Sequence, residues 1–158
     1  MSVDPHTRLH RPEEIDELAG SFADGEQFLG GTLRRDPAAA ARLGLPDDEV
    51  YEVSTLLRMN GVPCMASRYW LPPRLADLPQ DLREGVQGTL LRLGYDCRYR
   101  SHTISADLAG PADQDVLGVE PGSAILVREG LLTCEGEPLC HFVRRCRGDL
   151  VAFTTRYD

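Results

Sequence analysis

LGLPDDEVYEVSTLLRMNGVP, residues 43–63, and LGVEPGSAILVREGLLTCEGEP, residues 117–138, read as two versions of one unit. Each runs Leu-Gly-apolar, then a turn rich in Pro and acidic residues, then a strand, then a Gly-x-Pro hairpin. The offset is 74 residues between Leu43 and Leu117 and 75 between Gly61 and Gly136, so one residue has been inserted between the landmarks. Asn60-Gly61 is the strongest short hairpin signal, because both residues tolerate the positive φ of a tight turn. Two copies are too few for a solenoid, which needs at least about three. They predict a pseudo-symmetric, mostly antiparallel sheet with flanking helices, an α+β fold.

Working outward, Phe28 to Arg35 reads as a strand. A short helix follows, with Asp36 as N-cap, Pro37 in the first turn and Gly44 past the end. Val50 to Met59 and Cys64 to Leu71 form the first hairpin, stopped by Pro72-Pro73. Asp81 to Leu93 reads as a helix with an apolar stripe of Leu82, Val86, Leu90 and Leu93 and Gly94 after it. Cys97 to Asp107 is a strand, and Gly110-Pro111 opens a short helix ending at Leu117-Gly118. Ser123 to Cys134 and Leu139 to Arg147 form the second hairpin. Val151, Phe153, Thr155 and Tyr157 alternate with polar residues as in a last strand. Upstream, Ile15, Leu18, Ala19 and Phe22 recur at helical spacing over Pro12 to Phe22.

The chain has 158 residues, 25 of them acidic and 17 basic, for a net charge of -8. That length fits one domain with an adequate core. DNA affinity comes largely from neutralising phosphates with Lys and Arg. This chain alone is therefore not expected to bind DNA. No apolar run is long enough to span a membrane, and Met1 to His6 has no secretory signal character. Five cysteines with no C-x-x-C pair point to free thiols and the cytoplasm. Their spacing matches no zinc pattern, so neither metal nor cofactor is assigned.

Leu117-Gly118-Val119-Glu120-Pro121-Gly122-Ser123, Arg128, Glu135-Gly136-Glu137-Pro138 and Arg147-Gly148-Asp149 together resemble the UTRA domain, the effector-binding domain of HutC-type GntR transcription regulators. Asn60-Gly61-Val62-Pro63 and Tyr69-Trp70-Leu71-Pro72 resemble its N-terminal half. The resemblance covers roughly Phe28 to Tyr157. It divides the chain into a helical extension, 1–27, and a UTRA-like small-molecule-binding domain, 28–158. It implies a chorismate-lyase-like fold, a small-molecule pocket and a homodimer. About 27 residues precede it, too few and too acidic for a winged helix-turn-helix. Either that reader was removed or the protein is free-standing. Sugar-phosphate-binding members carry two arginines before the first hairpin, where only Arg58 matches here. The glutamate often found early in the strand after the second hairpin is also replaced, near Cys140. An amino-sugar phosphate is therefore not the expected ligand.

Strand alternation supplies the remaining site residues. Cys140, Phe142, Arg144 and Cys146 share one face of their strand, so Arg144 goes inward with the thiols and the ring. A buried guanidinium requires an anion, either a carboxylate of the protein, such as Glu52 or Asp107, or a ligand's acid group. On Cys97 to Asp107, Arg98, Arg100 and His102 share a face with Ile104, and Tyr99, Ser101, Thr103 and Ser105 share the other. These guanidinium and hydroxyl groups suit a phosphate, phosphonate or carboxylate. Tyr69 and Trp70 are candidate ligand caps. The ligand-binding set is Arg58, Tyr69, Arg98, Arg100, Ser101, Cys140 and Arg144. No catalytic residue is assigned, because no nucleophile or phosphate-loop motif is present.

The leading function is therefore a domain that senses a small anionic metabolite for a transcription regulator. The alternatives are an enzyme of lyase or cyclase type on the same fold and an accessory binding protein.

Overall fold

The computed structural model describes residues 25–153. The helix expected over Pro12 to Phe22 lies outside them. Seven strands form one sheet. In chain order the elements are β1 (Glu26–Arg35), α1 (Pro37–Arg42), β2 (Glu49–Met59), β3 (Val62–Leu71), a 3-10 turn (Pro73–Leu75), β4 (Asp81–Leu82), α2 (Gly85–Arg92), β5 (Cys97–Leu108), α3 (Pro111–Leu117), β6 (Ala124–Cys134) and β7 (Glu137–Arg147). The sheet order is β4-β1-β2-β3-β7-β6-β5, and neighbouring strands run antiparallel among the described residues.

The expected duplication is built into that order. β1, β2 and β3 form one half, and β5, β6 and β7 form the other. The two halves join where β3 pairs with β7. The correspondence extends to irregularities. Leu29 is an extra residue on β1 opposite Thr55 and Ser54, and Arg100 is an extra residue on β5 opposite Leu132 and Leu131. Cys64 on β3 and Leu139 on β7 are likewise extra residues just after their hairpins. Each bulge resets the side-chain alternation beyond it.

The helices α1 and α3 sit on one face. Asp36 caps α1 by accepting from the Ala39 N–H at 3.0 Å, and Ala39 and Ala40 pack with Leu43, Val50 and Trp70. Asp113 accepts from the Gly110 N–H at the start of α3, while Leu117 packs on Leu56, Ala109 and Ile125. The other face is covered by α2 and by Leu150 to Phe153. Val86 and Leu90 of α2 are fully buried against Tyr51, Tyr69, Leu71 and Phe142. Burying such side chains contributes about 1.5–3 kcal/mol each. Leu150, Val151 and Phe153 pack against Leu57, Cys64, Met65 and Cys146.

Two expected elements differ. Asp81 and Leu82 form the short strand β4 instead of the first turn of a helix. Leu82 pairs with Glu26, which fixes its backbone in the sheet, and α2 begins at Gly85. Leu93 is accordingly 47% exposed instead of completing the buried stripe. The last strand expected from Val151 is absent over 151–153, where Val151 is buried as part of the cover. Residues 154–158 of that expectation lie outside the described residues. Among the described residues, no helix is long and apolar enough to cross a membrane.

Candidate functional site

The sheet register assembles a polar cluster in the middle of the face covered by α2. Across β3 and β7, Tyr69 lies opposite Phe142, Ser67 opposite Arg144 and Met65 opposite Cys146. On the outer strands Thr55 lies opposite Ser67, and Arg128 opposite Arg144. Apolar residues close both ends of this strip. Between them Thr55, Ser67, Arg128 and Arg144 are all buried, with Arg128 at 0% exposure and Arg144 at 8%.

The two guanidinium groups are held differently. Arg128 donates from Nε to His102 Nε2 at 2.7 Å and from Nη2 to the Tyr99 hydroxyl at 3.1 Å. Its guanidinium carbon lies 5.8 Å from the Tyr99 ring centre, 5.7 Å from Phe142 and 5.6 Å from Phe153. Arg144 lies 5.8 Å from the Tyr69 ring and 5.7 Å from Phe142, and it reaches the Met65 sulfur at 3.4 Å. Stacking of this kind suits arginine, whose weakly hydrated planar head tolerates an aromatic setting.

The surrounding ionisable groups are tuned to the pair. Burial, and then the charges of Arg128 and Arg144, pull the His102 pKa down to about 4. His102 is therefore a neutral imidazole near neutral pH, with Nε2 as acceptor and the proton on Nδ1. Burial pushes the Tyr69 phenol well above its usual range. It stays protonated and donates to Glu26 Oε1, which also accepts from the Thr55 hydroxyl. The Ser67 hydroxyl makes no hydrogen bond among the described residues, although it is buried beside Arg144 in the register. Together these groups offer two cationic forks, a hydroxyl and aromatic walls, a set suited to an acid group on a small organic molecule.

Of the residues expected from sequence, Arg144 and Tyr69 belong to this cluster. Cys140 shares its face, but further along, under α2. It is fully buried, and that burial raises its thiol pKa far above the ordinary range. Arg58 lies elsewhere, hydrogen-bonded to Gln27 beside Gly25 and Leu56. Arg98, Arg100 and Ser101 are exposed on the edge strand β5, and Arg98 is drawn to Asp96 at 3.4 Å. The expected alternation of β5 breaks at the Arg100 bulge. Tyr99 and His102, assigned to opposite faces, lie on the same one with ring centres 5.8 Å apart. Trp70 is on the opposite face of the sheet from Tyr69, stacked on His141 at 5.1 Å.

Glu52 and Asp107, the two carboxylates named as candidates to face Arg144, lie elsewhere. Glu52 pairs with Arg34 at 3.1 Å, and Asp107 pairs with Arg145 at 2.9 Å. Both sit on the face away from Arg144. Sequence reasoning missed Arg128, Tyr99, His102, Thr55, Ser67 and Glu26 as site residues. On the face that carries α1 and α3 lies a groove of about 350 Å³ lined by Leu29, Trp70, Val116 and Val143 and by the ion-paired Arg145 and Asp113.

The family model described as the UTRA domain matches residues 30–152. Similar solved structures include a protein from Streptomyces coelicolor described as a transcriptional regulator, with 25% identity and a TM-score of 0.76 over 84% of this chain and 92% of that one. The ligand-binding domain of a protein from Bordetella bronchiseptica described as a GntR-family transcriptional regulator superposes with a TM-score of 0.72 at 24% identity, over 84% of this chain and 89% of that one. The effector domain of PhnF from Mycobacterium smegmatis gives 0.76 at 18% identity, over 89% and 96% of the two chains. No curated protein matches the sequence.

Proposed function

The chain belongs to the UTRA domain family, the ligand-sensing domains of GntR-type transcription regulators, and on that premise we propose that it senses a small anionic metabolite at the Arg128–Arg144 pair. The observation that carries this reading is the juxtaposition of two buried guanidinium groups, directly opposed in the sheet and sharing one aromatic ring. Two planar guanidinium forks carried at facing positions of adjacent strands can act together on one acid group. A phosphonate, phosphate or carboxylate accepts bidentate hydrogen bonds from such forks. The Ser67 hydroxyl is placed to add a further bond, and Tyr69, Tyr99 and Phe142 supply walls for an organic body.

Sensing follows from the cover. Phe153 lies on Arg128, and Val151 is packed into the core beside it. A ligand that engages the arginines changes what this segment packs against. In an intact regulator that change is what a DNA-binding domain would read. Such a domain would work in the cytoplasm and, through the long edge strand β5, as a homodimer. His102 and Tyr99 are both engaged in holding Arg128, which suits positioning more than acid–base turnover.

Native mass spectrometry of protein purified from its own host tests the reading. The expected result is a retained small anion, released when Arg128 and Arg144 are both replaced. A retained neutral or cationic molecule, unaffected by that replacement, would overturn it.

A further inference from the structure

We propose that Cys97 and Cys134 form an oxidative-modification site, at which a disulfide ties the start of β5 to the end of β6. The two residues are direct partners in the antiparallel register. Both pack on the face covered by α2, in the same apolar cluster. Directly opposed residues in antiparallel strands have Cα atoms about 4.5–5.5 Å apart. That lies inside the roughly 4.4–6.8 Å span of a disulfide. The Cys97 carbonyl accepts from the Gln87 side chain on α2 at 3.3 Å, so it is turned away from β6. A pair oriented in this way has its side chains at the closer of the two antiparallel spacings.

The two thiols differ in a way that orders the chemistry. Cys134 is half-buried and Cys97 is buried. Burial, then Cys134 and Asp96, push the Cys97 thiol up to about 11. Cys134, the more exposed of the two, is therefore the sulfur that meets an external oxidant first. With glutathione disulfide, Cys134 attacks one sulfur and expels glutathione thiolate, leaving a mixed disulfide. Cys97 then loses its proton and attacks the Cys134 sulfur, expelling the second glutathione. The protein loses two hydrogens, and one glutathione disulfide becomes two glutathiones. The three remaining thiols are placed differently. Cys140 is fully buried and opposed to Leu132, Cys146 is fully buried between Met65 and Leu126, and Cys64 is a bulge residue whose thiol points to the Leu57 carbonyl.

The site does not depend on what the arginine pair binds. It would, however, pin β5 two residues before Tyr99, which holds Arg128.

The test is incubation of the native protein with glutathione disulfide at mildly alkaline pH, followed by intact mass and non-reducing peptide mapping. The expected product has lost two hydrogens, carries no glutathione and links the Cys97 and Cys134 peptides. In Cys97→Ser, Cys134 should instead stop as the mixed disulfide, and in Cys134→Ser no linkage should form. Wild-type protein that stops as a glutathione adduct at Cys134, that fails to react there, or that links another pair would overturn the proposal. Because the wild-type map decides by itself, poor folding of either variant does not remove the test.

Discussion

Arg128 and Arg144 are direct partners across β6 and β7, and both guanidinium groups lie 5.7 Å from the centre of the Phe142 ring. One phenylalanine thus sets the height of both cations. What sets Phe142 itself is Gly130, its own partner on β6. A Cβ at Gly130 would come within 2.6 Å of the Phe142 ring and 2.8 Å of the Ser101 carbonyl oxygen.

Gly130→Ala should therefore act on both fold and site. The backbone at Ser101 cannot yield as a flexible side chain can, so the ring must tilt. Overpacking of this kind costs about 1–3 kcal/mol. Chemical denaturation should show a loss of that size, together with weaker ligand binding. Unchanged stability would mean that the contact relaxes freely.

His102 gives the site a pH signature. Its pKa falls from 6.5 to about 4 on folding. Between those values the unfolded chain binds the proton more readily than the native protein does. The contribution of neutral His102 is thus complete above about 6.5 and is lost as the pH falls toward 4. His102→Gln removes this titration. The difference in Tm between wild type and variant should shrink or reverse as the pH drops through that window. A constant difference from pH 7 to pH 4 would contradict the burial of a neutral imidazole.

Tyr99 positions Arg128 through one hydroxyl. Tyr99→Phe keeps the ring and removes the 3.1 Å bond. The loss should be about 0.5–1.5 kcal/mol of stability, read as a lower Tm, together with a weaker ligand affinity. An affinity equal to wild type would show that the ring alone orients the guanidinium.

Assembly provides a separate check. β5 is the outermost strand on its side of the sheet, with Ile104 44% exposed and Leu108 67% exposed. Such an edge invites pairing with a second copy. Light scattering should give twice the 17.5 kDa chain mass, and Ile104→Lys should shift the protein toward monomer. A monomer across a wide concentration range would refute the dimer.

The duplicated Leu-Gly and Gly-x-Pro landmarks made the sheet halves and their hairpins legible. They work because turn chemistry is local and glycine-dependent. Arg144 was legible for a related reason: Cys140, Phe142 and Cys146 alternate with it on an unbroken stretch of β7. Arg128 was not. Counting back from the Glu135-Gly136 turn pairs it with Val143, and only the bulge at Leu139 moves it opposite Arg144. The Arg100 bulge hides Tyr99 and His102 in the same way. A bulge costs one residue and leaves no composition signal of its own, yet it exchanges the faces of everything beyond it. Leu82 fits the stripe of a helix but is held in β4 by Glu26, a contact that arises only after the chain has folded.

The central claim is that an anion is gripped by the buried arginine pair, and calorimetry on wild type and Arg144→Lys tests it most directly. The titrants are phosphonates, phosphorylated sugars and aromatic carboxylates. Lysine keeps the charge but cannot reproduce the planar fork or its stacking on Tyr69 and Phe142. The expected result is that one of these anions binds wild type and that Arg144→Lys weakens it at least tenfold, about 1.4 kcal/mol. An anion that binds both proteins within about twofold would contradict it, leaving Arg144 a structural residue and the pocket elsewhere.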